Sequence, residues 1–153
     1  MSEKKLEGAG LRGQVAGKTS LSTVGKAGKG LTYRGYPIET LSEKAKFEEV
    51  AYLLMYGSLP NANEYESYTK KLISMRSLPE TILEVLERIP ASAHPMDVMR
   101  TGCSMLGNIE PEGEFSNQQH SANRILATMA SIIVYWYKSV SYTHLRAHET
   151  STY

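Results

Sequence analysis

The chain has 153 residues, 41% hydrophobic and 22% charged, with 17 Lys+Arg against 16 Asp+Glu and a formal net charge of +1. That is long enough for one domain with its own core, and the near-neutral balance excludes a global electrostatic pull toward nucleic acid or anionic membrane. A lone cysteine, Cys103, excludes an intrachain disulfide and fits a reducing, intracellular setting, and the opening Met1-Ser-Glu-Lys-Lys-Leu6 lacks the apolar run of a secretory signal.

Residues 1–17 are small, charged and Gly-rich, which predicts a flexible arm. Lys and Arg crowd the first 34 residues, but interleaved Gly and Thr mark a solvated arm rather than a phosphate-binding patch. Gly17-Lys18-Thr19 resembles the end of a phosphate-binding loop. That loop needs a further glycine where Arg12 stands, and it should follow a buried strand. Thr19–Val24 reads as a strand, Gly25–Gly30 as a turn and Leu31–Arg34 as the return strand of a hairpin. Gly35-Tyr-Pro-Ile38 then leads into helices.

Phe47, Val50, Ala51 and Leu54 share one helix face, with Gly57 and Pro60 as the stop. Asn61 or Asn63 caps the next helix, which places Tyr65, Tyr68, Leu72 and Met75 inside and Lys70, Lys71 and Arg76 near its C-terminal end. Pro79 opens a third helix with Ile82, Val85, Leu86 and Ile89 inside, and Pro90 closes it. His94-Pro95 is a turn. Met96–Leu106 reads as a fourth helix in which Gly102 marks a close helix crossing.

After a polar loop, Asn108–Glu114, a last helix starts at Ser116 or Asn117 and is apolar almost all round by Ile132. Such a helix is expected to be buried in something large. The apolar stretch Ile125–Tyr137 is too short to span a bilayer, which takes about 20 residues. From Val140 onward the run Ser-Tyr-Thr-His-Leu-Arg-Ala-His-Glu reads as a translated sequencing adapter. Residues 140–153 are therefore expected to be non-native, and the chain is expected to be the front part of a larger protein.

Few side chains offer chemistry. His144, His148 and Glu149 have metal-ligand spacing but lie in the adapter-like tail, so no metal site is expected. Cys103 has no cationic neighbour to make it a thiolate and reads as a buried structural residue. His120 reads as a surface residue, and Tyr135, Trp136 and Tyr137 as core rather than a stacking platform. His94 and Arg100 stay open between structure and catalysis: the His94 ring can take a local hydrogen bond, and Arg100 can reach a carboxylate.

Three stretches carry a resemblance to a known family. Leu31-Thr-Tyr-Arg-Gly-Tyr-Pro-Ile38, Phe47-Glu-Glu-Val-Ala-Tyr-Leu-Leu-Met-Tyr-Gly-Ser-Leu-Pro60 and His94-Pro-Met-Asp-Val-Met-Arg-Thr-Gly102 resemble citrate synthases. The last stretch, continued by Cys-Ser-Met-Leu-Gly107, resembles the 2-methylcitrate synthase branch, as do Gly10-Leu-Arg-Gly13 and Leu21-Ser-Thr-Val-Gly25. The likeness runs from about Gly8 to Lys138.

The resemblance implies a mainly α fold. Residues 18–139 would be the N-terminal portion of the family's large helical domain, with a short N-terminal β-hairpin. It implies a cytoplasmic bacterial enzyme, a homodimer at full length, that condenses propionyl-CoA with oxaloacetate to 2-methylcitrate and CoA. No bound cofactor, nucleic acid or membrane is implied. The alternatives are a citrate synthase using acetyl-CoA and a small non-catalytic helical module. The family's catalytic His and Asp residues belong to later parts of its chain, so none is assigned here and this chain alone is expected to be inactive. The motif residues Arg34, Gly35, Tyr36, His94, Pro95, Met96 and Arg100 are expected to serve structure.

Overall fold

The computed structural model describes residues 17–23 and 30–149, with side chains described as far as Ser141. The anticipated arm falls almost wholly outside the described residues, as does most of the turn at 25–30. The chain divides into two compact units, Met1–Leu59 and Pro60–Tyr153.

The first unit carries a three-stranded antiparallel sheet in the order β1 (Ser22–Thr23), β2 (Thr32–Tyr33), β3 (Tyr36–Pro37). Ser22 pairs with Tyr33, and Tyr33 with Tyr36. The third strand is an addition to the hairpin expected from the sequence. It forms because Arg34 (φ 49°) and Gly35 (φ 91°) both adopt positive φ, the backbone that lets two residues reverse a twisted strand pair. Glycine does this freely and arginine does not, so no Asn-Gly signal announced the turn.

Helix α1 (Ile38–Lys44) follows Pro37 directly and buries Leu41. Helix α2 (Phe47–Tyr56) ends at Gly57, whose φ of 96° is the left-handed cap expected there. Its buried residues are Ala51 and Leu53, while Phe47 is 64% exposed, which corrects the expected face. The run from Val50 to Met55 is apolar nearly throughout, so periodicity could not select one side.

In the second unit, Asn61 caps α3 (Ala62–Ser74): the Glu64 N–H donates to Asn61 Oδ1 at 3.0 Å, and the Asn61 N–H donates to Glu64 Oε2 at 2.8 Å. The reciprocal pair satisfies two N–H groups that a helix start leaves orphaned. Helix α4 (Glu80–Glu87) begins after Pro79, α5 (Pro95–Ile109) after His94, and α6 (Gln118–Glu149) after a 3-10 turn at Phe115–Asn117.

Ile82 and Leu86 of α4, Val98 and Leu106 of α5, and Ile132 and Trp136 of α6 form one core cluster. Each large side chain withdrawn from water there contributes roughly 1.5–3 kcal/mol. The Trp136 indole N–H donates to the Ile89 carbonyl at 3.3 Å, so the ring is buried without orphaning its donor. Helix α6 is not enclosed on every side. Asn123, Ala127, Thr128, Ile132 and Trp136 form its buried seam, whereas Val134 is half exposed and Tyr137 is 65% exposed. Tyr137 is therefore not core, because the helix offers α3, α4 and α5 only one face.

The crossing of α5 and α6 rests on Gly102. A Cβ there would stand 2.7 Å from Ile132 Cγ2 and 3.1 Å from its Cδ1. Ile132 is fully buried and β-branched, so it has little room to yield. Gly102→Ala is expected to destabilise the unit by about 1–2 kcal/mol despite the better helix propensity of alanine. In an Ile132→Ala background the same change should cost nothing or stabilise. Denaturant unfolding of the double-mutant cycle measures both.

Candidate functional site

His94 ends the loop before α5 with an extended backbone and its Nδ1 accepts the Met96 N–H at 3.2 Å, so the ring caps the helix. Pro95 occupies the first helical position, where a missing N–H costs nothing. Met96 is 63% exposed. Arg100 pairs with Asp97 one turn back at 3.1 Å. Both side chains of the pair are mostly in water, so it adds little stability. The local hydrogen bond and the carboxylate anticipated for His94 and Arg100 are thus both present.

The Arg34 side chain has a different task. Its Nη1 donates to Ser20 Oγ at 2.9 Å and its Nη2 to the Leu54 carbonyl at 3.0 Å, joining the sheet to α2. The Arg34 N–H also donates to the Leu21 carbonyl at 2.8 Å. These bonds hold the residue in its positive-φ conformation and define the Arg34-Gly35-Tyr36 turn.

A polar concavity in the second unit was not anticipated. A cleft of about 560 Å³ lies between the C-terminal half of α5 and the start of α6, lined by Cys103, Glu110, His120, Ser121 and Arg124 among others. Arg124 is its organising group. Its Nε and Nη2 donate to the two carboxylate oxygens of Glu110, each at 2.8 Å. Its Nη1 donates to the carbonyls of Met75 and Ser77, the latter at 2.8 Å, on the segment joining α3 to α4. One guanidinium thereby ties three elements together.

The hydrogen bond from Arg124 holds the Glu110 carboxyl below its ordinary value of 4.5; partial burial opposes this, and the charges of Arg124 and His120 assist. The same hydrogen bond raises Arg124, against a smaller opposing effect of burial. Cys103 is half-buried in the cleft wall, not fully buried as expected, because Gly102 and Leu106 take the inner face of α5. His120 is exposed. A second, mostly apolar groove of about 440 Å³ runs along α6 and includes Pro95, Trp136, Tyr137 and Lys138.

With both carboxylate oxygens and three guanidinium nitrogens engaged, the Glu110–Arg124 pair itself offers neither a free base nor an anion clamp. Among the described residues no three His, Cys, Asp or Glu side chains gather as a metal site. None of the described helices is long and apolar enough to cross a membrane. His144 and His148 lie beyond the described side chains. The sequence signal for the clamp was present but faint: Arg124 is the sole charged residue from Ser121 to Tyr137, and a charge inside an apolar run requires a partner.

The family model for the C-terminal domain of citrate synthase matches residues 10–152. The chain belongs to the citrate synthase family. It is 64% identical over 135 residues to a 2-methylcitrate synthase of Shewanella oneidensis, an alignment covering 88% of this chain and 36% of that protein. It is 40% identical over 111 residues to 2-methylcitrate synthase 2 of Corynebacterium glutamicum, covering 72% of this chain and 29% of the other. The crystal structure of citrate synthase from Thermotoga maritima superposes with a TM-score of 0.76 at 31% identity, over 87% of this chain and 35% of that one. The chain spans about a third of the length of these relatives.

The clamp holds elements of the second unit together. Arg124→Met is expected to cost about 1–3 kcal/mol, since it strips hydrogen bonds from two backbone carbonyls and a carboxylate. Arg124→Lys should recover only part of that, because an ammonium cannot make the fork. Since Glu110 titrates lower folded than unfolded, its contribution is full above pH 4.5 and is lost as pH falls below that. The stability gap between the parent and Glu110→Gln, read by thermal melts at pH 7 and pH 3, should shrink on acidification.

Proposed function

We propose that this chain is part of a 2-methylcitrate synthase, which joins propionyl-CoA to oxaloacetate and releases 2-methylcitrate and CoA. The single observation that carries the reading is the 64% identity to a 2-methylcitrate synthase over nearly the whole chain.

The reaction asks for groups of a definite kind. The α-carbon of a thioester is a very weak acid, so a carboxylate base must sit against it, with hydrogen-bond donors where the enolate oxygen forms. Oxaloacetate carries two carboxylates and calls for arginines with free forks. Here Arg34 and Arg124 spend their guanidinium groups on protein acceptors, and Arg100 stands in an exposed pair. In line with the family resemblance, we assign catalysis to parts of the enzyme outside this chain. Residues 18–139 contribute scaffold to the large helical domain of a cytoplasmic homodimer.

Purified protein of the relatives' full length that carries this sequence should release CoA from propionyl-CoA only when oxaloacetate is present, with kcat/KM above that for acetyl-CoA. The 153-residue chain alone should release none. A preference for acetyl-CoA would assign the protein to citrate synthases proper, and turnover by the short chain would place catalytic groups within it.

A further inference from the structure

The His94 ring has no part in the proposed reaction, yet it is built into α5 in a way that depends on its proton. Pro95 has no N–H, so Met96 supplies the first N–H of the helix, and the ring's Nδ1 accepts it at 3.2 Å. An imidazole nitrogen can accept only through a lone pair, so the capping ring is neutral and carries its hydrogen on Nε2. Protonation would set an N–H on Nδ1 against the Met96 N–H, donor facing donor. It would also place a positive charge at the positive end of the α5 dipole. Histidine is the side chain whose charge changes in the physiological range.

The turn that this cap holds is not peripheral. The His94 carbonyl accepts the N–H groups of Asp97 at 2.9 Å and Val98 at 3.2 Å. Val98 is fully buried in the core cluster, and Pro95 lines the apolar groove with Trp136, Tyr137 and Lys138. Three neighbouring elements carry charged groups. On α5, Asp97 is already engaged by Arg100 at 3.1 Å. On α6, Lys138 lines the same groove as Pro95. At the end of α4, the Glu87 carboxylate receives the Tyr135 hydroxyl at 2.5 Å, and Arg88 is the C-cap.

We propose that His94 is a proton-operated cap. Neutral, it holds the first turn of α5 closed; protonated, it releases the Met96 N–H, and the turn from Pro95 to Val98 loosens together with that wall of the groove. The device is independent of the synthase reading, and either can fail without the other.

Nitrogen-15 NMR of the imidazole and hydrogen exchange at Met96, both on the 153-residue chain across the His94 titration, test it. The expected result is an Nε2–H tautomer in the neutral form. Met96 protection, corrected for the intrinsic pH dependence of exchange, should fall roughly five-fold as the ring protonates, the scale of losing one N-cap. His94→Asn, which can accept at any pH, should keep that protection flat; His94→Ala should be unprotected throughout. A neutral Nδ1–H tautomer would overturn the proposal on the parent chain alone. So would Met96 protection that does not change as His94 titrates, or a His94→Asn variant that loses protection with the same pH dependence.

Discussion

The second unit is built around the absence of one side chain. At Gly102 the backbone of α5 comes so near α6 that Ile132 fills the space a Cβ would need. That approach sets Val98 and Leu106 beside Ile132 and Trp136, and α4 completes the cluster with Ile82 and Leu86. A close-packed contact of this kind is steep in distance: an added methyl must push the helices apart, and the gap weakens dispersion contacts along the whole seam. The dependence runs outward from the crossing, since the cleft between α5 and α6 and the groove along α6 both take their shape from it.

Polar contacts then hold the parts that the apolar seam does not reach. Arg124 gathers Glu110 from the end of α5 and two carbonyls from the segment before α4, and the Tyr68 hydroxyl donates to the buried Asn123 Oδ1 at 2.8 Å. Asn123 and Thr128 sit on the same buried seam as Ile132, and the Thr128 hydroxyl donates to the Arg124 carbonyl at 2.8 Å. These commitments bear on function. A guanidinium already forked onto a carboxylate is poorly placed to hold a dicarboxylate substrate, so the Glu110–Arg124 pair serves the fold.

What could be read from the sequence was what acts locally. Gly57 and Asn61 each bond within a few residues of themselves, so composition and spacing disclosed their caps; for His94 they disclosed a local hydrogen bond but not that it caps α5. Gly102 stood out because a glycine inside an apolar helix needs a reason. The Asp97–Arg100 pair is likewise one turn long. The third strand was hidden because it depends on Arg34 adopting positive φ, and that conformation is held by bonds to Ser20, Leu21 and Leu54. Arg124 alone in an apolar run hinted at a partner, but which partner was hidden for the same reason, because Arg124 and Glu110 meet only through the packing of two helices. The exposed Tyr137 and Phe47 show the converse limit: an apolar run shows that a helix is buried, not which of its sides is.

The claim on which the rest depends is that α5 and α6 open as one cooperative seam centred on Gly102 and Ile132. Native-state hydrogen exchange in increasing denaturant tests it most directly. Amides from Val98 to Leu106 and from Asn123 to Trp136 should share the slowest exchange and converge on one opening free energy, with α3 exchanging no more slowly. Should the amides around Ile132 exchange faster than those of α3, or follow a separate denaturant dependence from those around Gly102, the crossing would not be the centre of this unit.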